Sequence, residues 1–348
     1  MGSTARRAAV TTTVAVAIVV AALALWKIRL VIALIFLGII IAAAMRPSVD
    51  WLQRNAHVPR PIGILLHYLV LFGLVAIALW LLVPRAIDQV QQATSGDVLQ
   101  SQAKHSTGIK HDILIGIQNR LDRLPSGSKL LHPAVEITKR AFETIVGVFF
   151  VFAVAAYWIA ERDRTIRLVQ SIVPRARRRV VRDTWVLIDA KLGSFVRGEL
   201  ILIVFVSVVL SGSFFAIGLP YWLLIGVFAG IVEIVPVIGP LTAGALAVGV
   251  GLTQSWHMAL FAGLIVLAVR QLEDYVVIPR VLGHAVGLTP LIVLVSVTGI
   301  GILLGAFYVL LAIPIAAVLA TLVDVVVRDR DPAEQEVPAV MFSSAKEG

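Results

Sequence analysis

The sequence contains no cysteine, and this absence removes several classes of site at once. Disulfide frameworks, zinc–thiolate sites and iron–sulfur clusters all depend on cysteine sulfur, so none of them is available to this chain. The sequence also lacks a Walker-type phosphate-binding loop, a Gly-x-Ser-x-Gly nucleophile turn and a histidine pair at metalloprotease spacing. We therefore expect no enzyme activity, no cofactor and no metal site.

Charged residues are scarce, at 15% of the chain, where an ordinary soluble domain has about 25%. Hydrophobic residues make up 59% of the 348 residues, which is more apolar surface than a soluble fold of this length can bury. A spanning helix needs about 20 mostly apolar residues. Charge-free runs cover 8–26, 30–45, 61–84, 144–160, 200–232, 234–269 and 281–323. These runs predict an all-α polytopic membrane protein with about eight transmembrane helices.

Helix-breaking residues interrupt the run 234–269 close to its start, at Pro236, Gly239 and Pro240. Proline removes a backbone donor and disfavours helix in the residue before it. In lipid, such a break is tolerated only where the backbone faces protein or a water-filled cavity. The pattern predicts a broken or re-entrant helix pair across 221–254, whose halves meet at a loop around 236–240.

The distribution of arginine and lysine predicts the orientation. Segment 161–198 contains ten cations and four anions, which places it on the cytoplasmic side together with both termini. Segment 85–140 then lies outside, and its isoleucine and leucine spacing predicts an amphipathic helix at 109–124. The basic stretch 175–198 is typical of an amphipathic helix lying on an anionic inner leaflet. Binding to nucleic acid is a weaker interpretation of the same positive charge, and we do not expect it.

The chain divides by these criteria into five regions. They are an N-terminal transmembrane hairpin plus a third span (1–84), an extracytoplasmic amphipathic helical segment (85–140), a span plus a basic cytoplasmic interfacial helix (141–199), a transmembrane core (200–328) and a disordered cytoplasmic tail (329–348).

An ionisable residue within the membrane is a functional candidate by default, because burying its charge there is costly. Glu233 is such a residue, beside the proline–glycine break. The alternative is that Glu233 lies at the interface and only caps a helix. Gln271 and Glu273 either face a cavity and gate it, or mark the inner end of a span. Arg197 and Glu199 either anchor a helix at the interface, or Arg197 pairs with Glu233 or Glu273.

The predicted substrate or ion path therefore contains eight residues. They are Glu233, Pro236, Gly239, Pro240, Gln271, Glu273, Arg197 and Glu199.

The C-terminal half resembles the AI-2E family of bacterial membrane proteins, which are PerM-like permeases that include autoinducer-2 exporters. Residues 233–240 are similar to that family's Glu-x-Ile-Pro-x-Ile-Gly-Pro signature. Residues 271–283, 286–290 and 304–314 carry the rest of the resemblance, and 197–199 look like the family's Arg-Gly-Gln. Two residues depart from the family pattern: Tyr308 stands where a second glycine is common, and Glu199 replaces glutamine.

The resemblance implies a permease-like core, a location in the bacterial inner membrane and a homo-oligomer, with a pentamer as one expectation. It implies export of a small polar solute of the autoinducer-2 type, which is the leading hypothesis. A sodium–proton antiporter, carrying a monovalent cation and protons, is the second. A non-transporting envelope scaffold, working through 85–140 and 161–198, is the third.

Overall fold

The computed structural model describes residues 2–94, 131–235, 238–281, 287–335 and 337, and the regular structure in these ranges is helical. The amphipathic helix expected at 109–124 lies outside the described residues. So do Pro236 and the tail from residue 338 onward.

Twelve α-helices are present in the described ranges. They are α1 (Gly2–Lys27), α2 (Arg29–Ala56), α3 (Arg60–Thr94), α4 (Leu131–Ile172), α5 (Arg178–Ala216), α6 (Trp222–Val232), α7 (Ile238–Gln254), α8 (Trp256–Leu272), α9 (Ile278–Val281), α10 (Pro290–Leu304), α11 (Ala306–Val309) and α12 (Ala312–Val326). Among the described residues, helices α1 to α5 are long and apolar enough to cross a membrane. The shorter α6, α10 and α12 are apolar as well. The prediction of an all-α polytopic membrane protein is confirmed.

At the junction between α1 and α2, where the sequence predicts a membrane hairpin, the chain keeps helical hydrogen bonds. The amide of Ile28 donates to the carbonyl of Ala24, and the amide of Ile32 donates to that of Ile28. This bonding pattern carries α1 on into α2, and the hairpin stays a prediction. The physical reason is local, because Lys27, Ile28 and Arg29 include no glycine, proline or asparagine that would favour a tight turn.

Helix α5 corrects the expectation of a separate interfacial helix at 175–198. Arg178–Ala216 is one continuous helix, so the basic stretch and the following apolar stretch form a single rod. Its predicted apolar face packs on protein. The Trp185 ring stacks on Trp158 of α4 with 5.7 Å between centroids, and Leu192 is buried in a cluster with residues of α2.

The predicted break in 221–254 is confirmed, and the structure shows where it lies. Helix α6 ends at Val232 and α7 begins at Ile238. Pro240 therefore lies in the first turn of α7, where the missing amide hydrogen leaves no helical bond unmade. With 11 and 17 residues, the two helices are about 16 and 26 Å long, so neither alone crosses a hydrocarbon core of about 30 Å.

Close approach of helix backbones holds this region together. Gly226 and Gly230 of α6 lie directly against Ser211 and Ser207 of α5, leaving no room for a Cβ atom at either glycine. Such contacts are typical of helix packing in membranes. Phe214, Ala247 and Ala262 bring α5, α7 and α8 into the same buried cluster. The broken pair thus packs between α5 and α8.

The C-terminal end contains a turn at Gly305, whose φ of 103° requires glycine, between α10 and α11. The chain beyond α12 corrects the expectation of a tail disordered from residue 329. Residues Pro332–Glu334 form a short 3₁₀ turn that packs on α5. Gln335 Oε1 accepts a hydrogen bond of 3.1 Å from Lys191 Nζ, so 329–335 are ordered against the helices.

Candidate functional site

Glu233 stands at the C-terminus of α6, and its amide donates to the carbonyl of Ala229. Its side chain is only 6% exposed. The C-terminal end of a helix carries partial negative charge, so a buried carboxylate there requires a compensating cation. The environment of Glu233 therefore depends on what α8 brings to it.

Arg270, in the last turn of α8, supplies that cation across 37 residues of sequence. Its Nη1 donates to Glu233 Oε1 at 2.9 Å and to Glu273 Oε2 at 3.3 Å. Its Nε donates to Asp274 Oδ2 at 3.1 Å. One guanidinium therefore holds three carboxylates, using the separate donors of its planar fork.

The geometry of the acidic residues follows from the helix they occupy. Glu273 and Asp274 follow Arg270 by three and four positions, the spacing that brings side chains together on one helical face. Glu273–Val277 forms one turn of π-helix between α8 and α9. Such turns shift the register of a helix and are frequent at functional sites. Glu273 is buried, with 2% exposure.

A shared donor and helix packing complete the cluster. The carboxyl groups of Glu233 and Glu273 both accept from Arg270 Nη1, so they lie close together. Glu199 adds a further carboxyl group from α5, which contacts α6, α8 and α9. We call Glu199, Glu233, Arg270, Glu273 and Asp274 the acidic cluster. Four carboxyl groups and one guanidinium make it rich in hydrogen-bond acceptors, suited to a solute bearing hydroxyl groups or positive charge.

The structure places the other predicted path residues in different surroundings. Gly239 is buried against the carbonyl of Val232, where a Cβ would collide, so it allows α7 to approach the end of α6. Pro240 follows it in the first turn of α7. Gln271 is exposed. Pro236 lies outside the described residues.

Arg197 is buried, with 9% exposure, and its guanidinium binds α2 and its own helix. Its Nη1 donates to the carbonyl of Ala44 in α2 at 3.0 Å, and its Nη2 donates to Ser194 Oγ at 3.3 Å. The cation at Glu233 is Arg270. Its spacing to Glu273 and Asp274 was the signal available in the sequence, but spacing within a helix says nothing about a partner on another helix.

A second charged cluster joins α2, α3, α4 and α5 at the end of α2 away from α1. Its core is the ion pair of Arg162 with Asp189, both buried. Arg60 Nη1 reaches Asp163 Oδ2 at 3.4 Å. The sequence pattern did not reveal this pair, because spacing within one helix does not show which residue of another helix a carboxylate meets. Among the described residues, no group of three or more histidine, aspartate and glutamate side chains has the arrangement of a metal site.

Comparison with known proteins identifies the relatives of this chain. Residues 14–328 match the family described as AI-2E family transporter. YrrI of Bacillus subtilis strain 168, provisionally named a transport protein, is 25% identical over 308 residues, which are 82% of this chain and 83% of YrrI. YueF of the same organism, similarly named, is 26% identical over 296 residues, 78% of each chain.

PerM of Escherichia coli K12, provisionally named a permease, is 25% identical over 209 residues, 56% of this chain and 58% of PerM. The names of these relatives describe transport and not catalysis. Since the family match extends over most of the sequence, this multi-pass membrane protein belongs to the AI-2E family of transporters.

Proposed function

We propose that this protein exports a small polar solute of the autoinducer-2 type, and that the acidic cluster lies on the solute's path. The observation that carries the proposal is the coincidence of three features. A buried carboxylate, Glu233, sits at the break between α6 and α7, and Arg270 and Glu273 meet it there. Broken helices bring unpaired backbone groups and ionisable side chains to substrate in many transporters.

The chemistry of the cluster supports a hydroxylated solute. Carboxylates accept hydrogen bonds from hydroxyl groups, while the guanidinium of Arg270 donates to carbonyl or ether oxygens. Autoinducer-2 comes into the proposal through the family description and the resemblance of the motifs. The family match and the names of the relatives lend no support to the antiporter alternative. They also favour transport over the scaffold alternative.

The location and assembly are part of the same proposal. We place the protein in the bacterial cytoplasmic membrane, with both termini on the cytoplasmic side, because the arginine-rich segment 161–198 follows the positive-inside rule. Anionic lipids of the inner leaflet are then neighbours of this segment. A homo-oligomer, with a pentamer as the first candidate, follows from the family resemblance.

Efflux from vesicles tests the proposal. Purified wild type and Glu233→Gln are reconstituted in liposomes loaded with autoinducer-2, and the released signal is measured over time. We expect wild type to accelerate release over empty liposomes, and Glu233→Gln to be slower by on the order of ten-fold, the effect of losing about 1.4 kcal/mol of interaction.

Glu143→Gln is the matched control, since Glu143 is exposed on α4, with a side chain 63% accessible. It should release the solute at the wild-type rate. Equal release by wild type and empty liposomes would refute export of this solute. Equal release by wild type and Glu233→Gln would refute the role of the acidic cluster.

A further inference from the structure

Helix α2 contains a proline in its interior, Pro47, close to the second charged cluster. Proline has no amide hydrogen, so the carbonyl of Ala43, four residues earlier, loses its helical donor. Proline's ring also crowds the carbonyls of the preceding turn. In a membrane, freed carbonyls must be satisfied by neighbouring elements. We therefore expect a neighbouring element to cover α2 at this turn.

Helix α5 meets it with two residues one turn apart. Gly193 approaches so closely that a Cβ on it would collide with the Ala43 carbonyl oxygen. Arg197 Nη1 donates to the next carbonyl, that of Ala44, at 3.0 Å. The guanidinium also lies over Gly193, within the space that a side chain there would fill. Helix α5 thus covers the backbone that Pro47 opens, and we call this contact the proline joint.

The proline joint is adjacent along α5 to the acidic cluster. Glu199 follows Arg197 by two residues within the same helix. Ile203, one turn after Glu199, lies against Gly230 of α6, and Glu233 stands three residues beyond Gly230, where it shares Arg270 with Glu273. Glu199 therefore lies on the part of α5 beside these two carboxyl groups. A helix is stiff over two residues, so the position of Arg197 against α2 sets the position of Glu199 against these carboxyl groups.

We propose that Arg197 is a positioning residue: by binding the α2 backbone at the proline joint, it holds Glu199 against Glu233 and Glu273. The inference rests on the proposed function only in assigning transport to the acidic cluster. The arrangement itself predicts effects on stability that need no solute. Arg197 is then a structural support of the path and has no contact with the solute.

Two double-mutant cycles test the proposal by thermal unfolding of the full chain in detergent, and the first pairs Arg197 with Pro47. Arg197→Ala should lower the unfolding midpoint by several degrees, and Arg197→Lys should recover part of the loss. The loss should be smaller in a Pro47→Ala background, where residue 47 donates to the carbonyl of Ala43 and the turn of α2 is closed by its own hydrogen bonds. Pro84→Ala, in α3, is the control background and should leave the loss unchanged. If Arg197→Ala lowers the unfolding midpoint equally in the wild-type and Pro47→Ala backgrounds, the proposed role of the proline joint is refuted.

The second cycle pairs Arg197 with Glu199. Glu199→Gln should raise the midpoint in the wild-type background, because it removes repulsion from Glu233 and Glu273. It should have less effect when Arg197 is alanine, since Glu199 is then no longer held in place. An undiminished gain in the Arg197→Ala background would overturn the positioning role, whether or not the wild type transports autoinducer-2.

The third readout is the pH profile of efflux, which a purely structural defect would leave in place while lowering the rate. With Arg197→Ala, the pH of half-maximal efflux should move toward that of Glu199→Gln, and with Arg197→Lys it should return toward wild type. A wild-type pH profile for Arg197→Ala would contradict the proposal. Absence of efflux in every variant, wild type included, would count against the proposed function, and the two stability cycles would still decide the positioning role.

Discussion

At the scale of single residues, Arg270 is the cation that meets three carboxylates of the acidic cluster. Arg270 binds Glu233, Glu273 and Asp274 at once, and two of these carboxylates are almost inaccessible within the chain. In such a buried cluster the cost of desolvation offsets much of the attraction between the charges. Removal of the one cation is different, since it leaves buried negative charge without a partner.

We therefore predict that Arg270→Ala destabilises the protein by about 3 kcal/mol. Chemical unfolding in detergent, followed by tryptophan fluorescence, measures the loss. Adding Glu233→Gln to Arg270→Ala should restore part of the stability, because one uncompensated charge is then removed.

Arg280→Ala serves as the control for Arg270→Ala. Arg280 lies ten residues further along the chain and is exposed. Its replacement should leave unfolding unchanged. A similar loss of unfolding free energy in both variants would mean that Arg270 stabilises the protein only through its charge and not through its contacts in the acidic cluster.

At the scale of helices, close backbone contact between α5 and α6 positions the break that carries Glu233. Gly226 and Gly230 are one turn apart on α6 and both face α5. The packing is tight because neither residue has a side chain, and a Cβ at either position would meet serine atoms of α5. The location of Glu233 relative to α5, and so to Glu199, depends on this contact.

We predict that Gly226→Ala destabilises the protein by about 1–3 kcal/mol, the usual range for overpacking, and slows efflux by displacing α6. Gly212→Ala in α5 is the matched control, since a Cβ there meets open space. Alanine at position 212 should be neutral, or stabilising by up to about 1 kcal/mol from its better helix propensity. The prediction fails if the two alanine variants unfold at the same midpoint.

Several elements were predictable from local pattern, and others were not. The break between α6 and α7 follows from Pro236, Gly239 and Pro240, since proline and glycine act on the backbone where they stand. The α1–α2 hairpin was predicted from charge and stays a prediction, although the junction keeps helical hydrogen bonds in the structure. Charge reports the position of a membrane boundary, but whether the chain turns there depends on backbone preferences, which at Lys27–Arg29 allow helix.

For the whole molecule, orientation in the membrane is the property that the helices alone leave open. The positive-inside rule predicts a cytoplasmic N-terminus and a cytoplasmic second charged cluster. In that predicted orientation α2 leads inward, and α1 has to bend back at Ile28. The backbone there, at φ −96° and ψ 9°, already departs from α-helical values. We propose that the bilayer completes this bend.

Cysteine labelling in intact cells tests the orientation, and the native chain has no cysteine to interfere. We expect Ser3→Cys to be protected from a membrane-impermeant maleimide until the cells are opened. Ser106→Cys, in the segment predicted to be external, should react at once and serves as the positive control. Immediate labelling of Ser3→Cys would show that α1 continues outward from α2 without bending back.

By itself, the sequence determined that the protein resides in a membrane, that it is helical and where its main break falls. These properties depend on composition, run length and the backbone chemistry of proline and glycine, which act over a few neighbouring residues. Only the tertiary structure decided that Glu233 pairs with Arg270 and that Arg197 binds α2. Helix packing brings such partners together from distant positions in the chain, and neither hydropathy nor spacing within one helix specifies which cation meets which carboxylate.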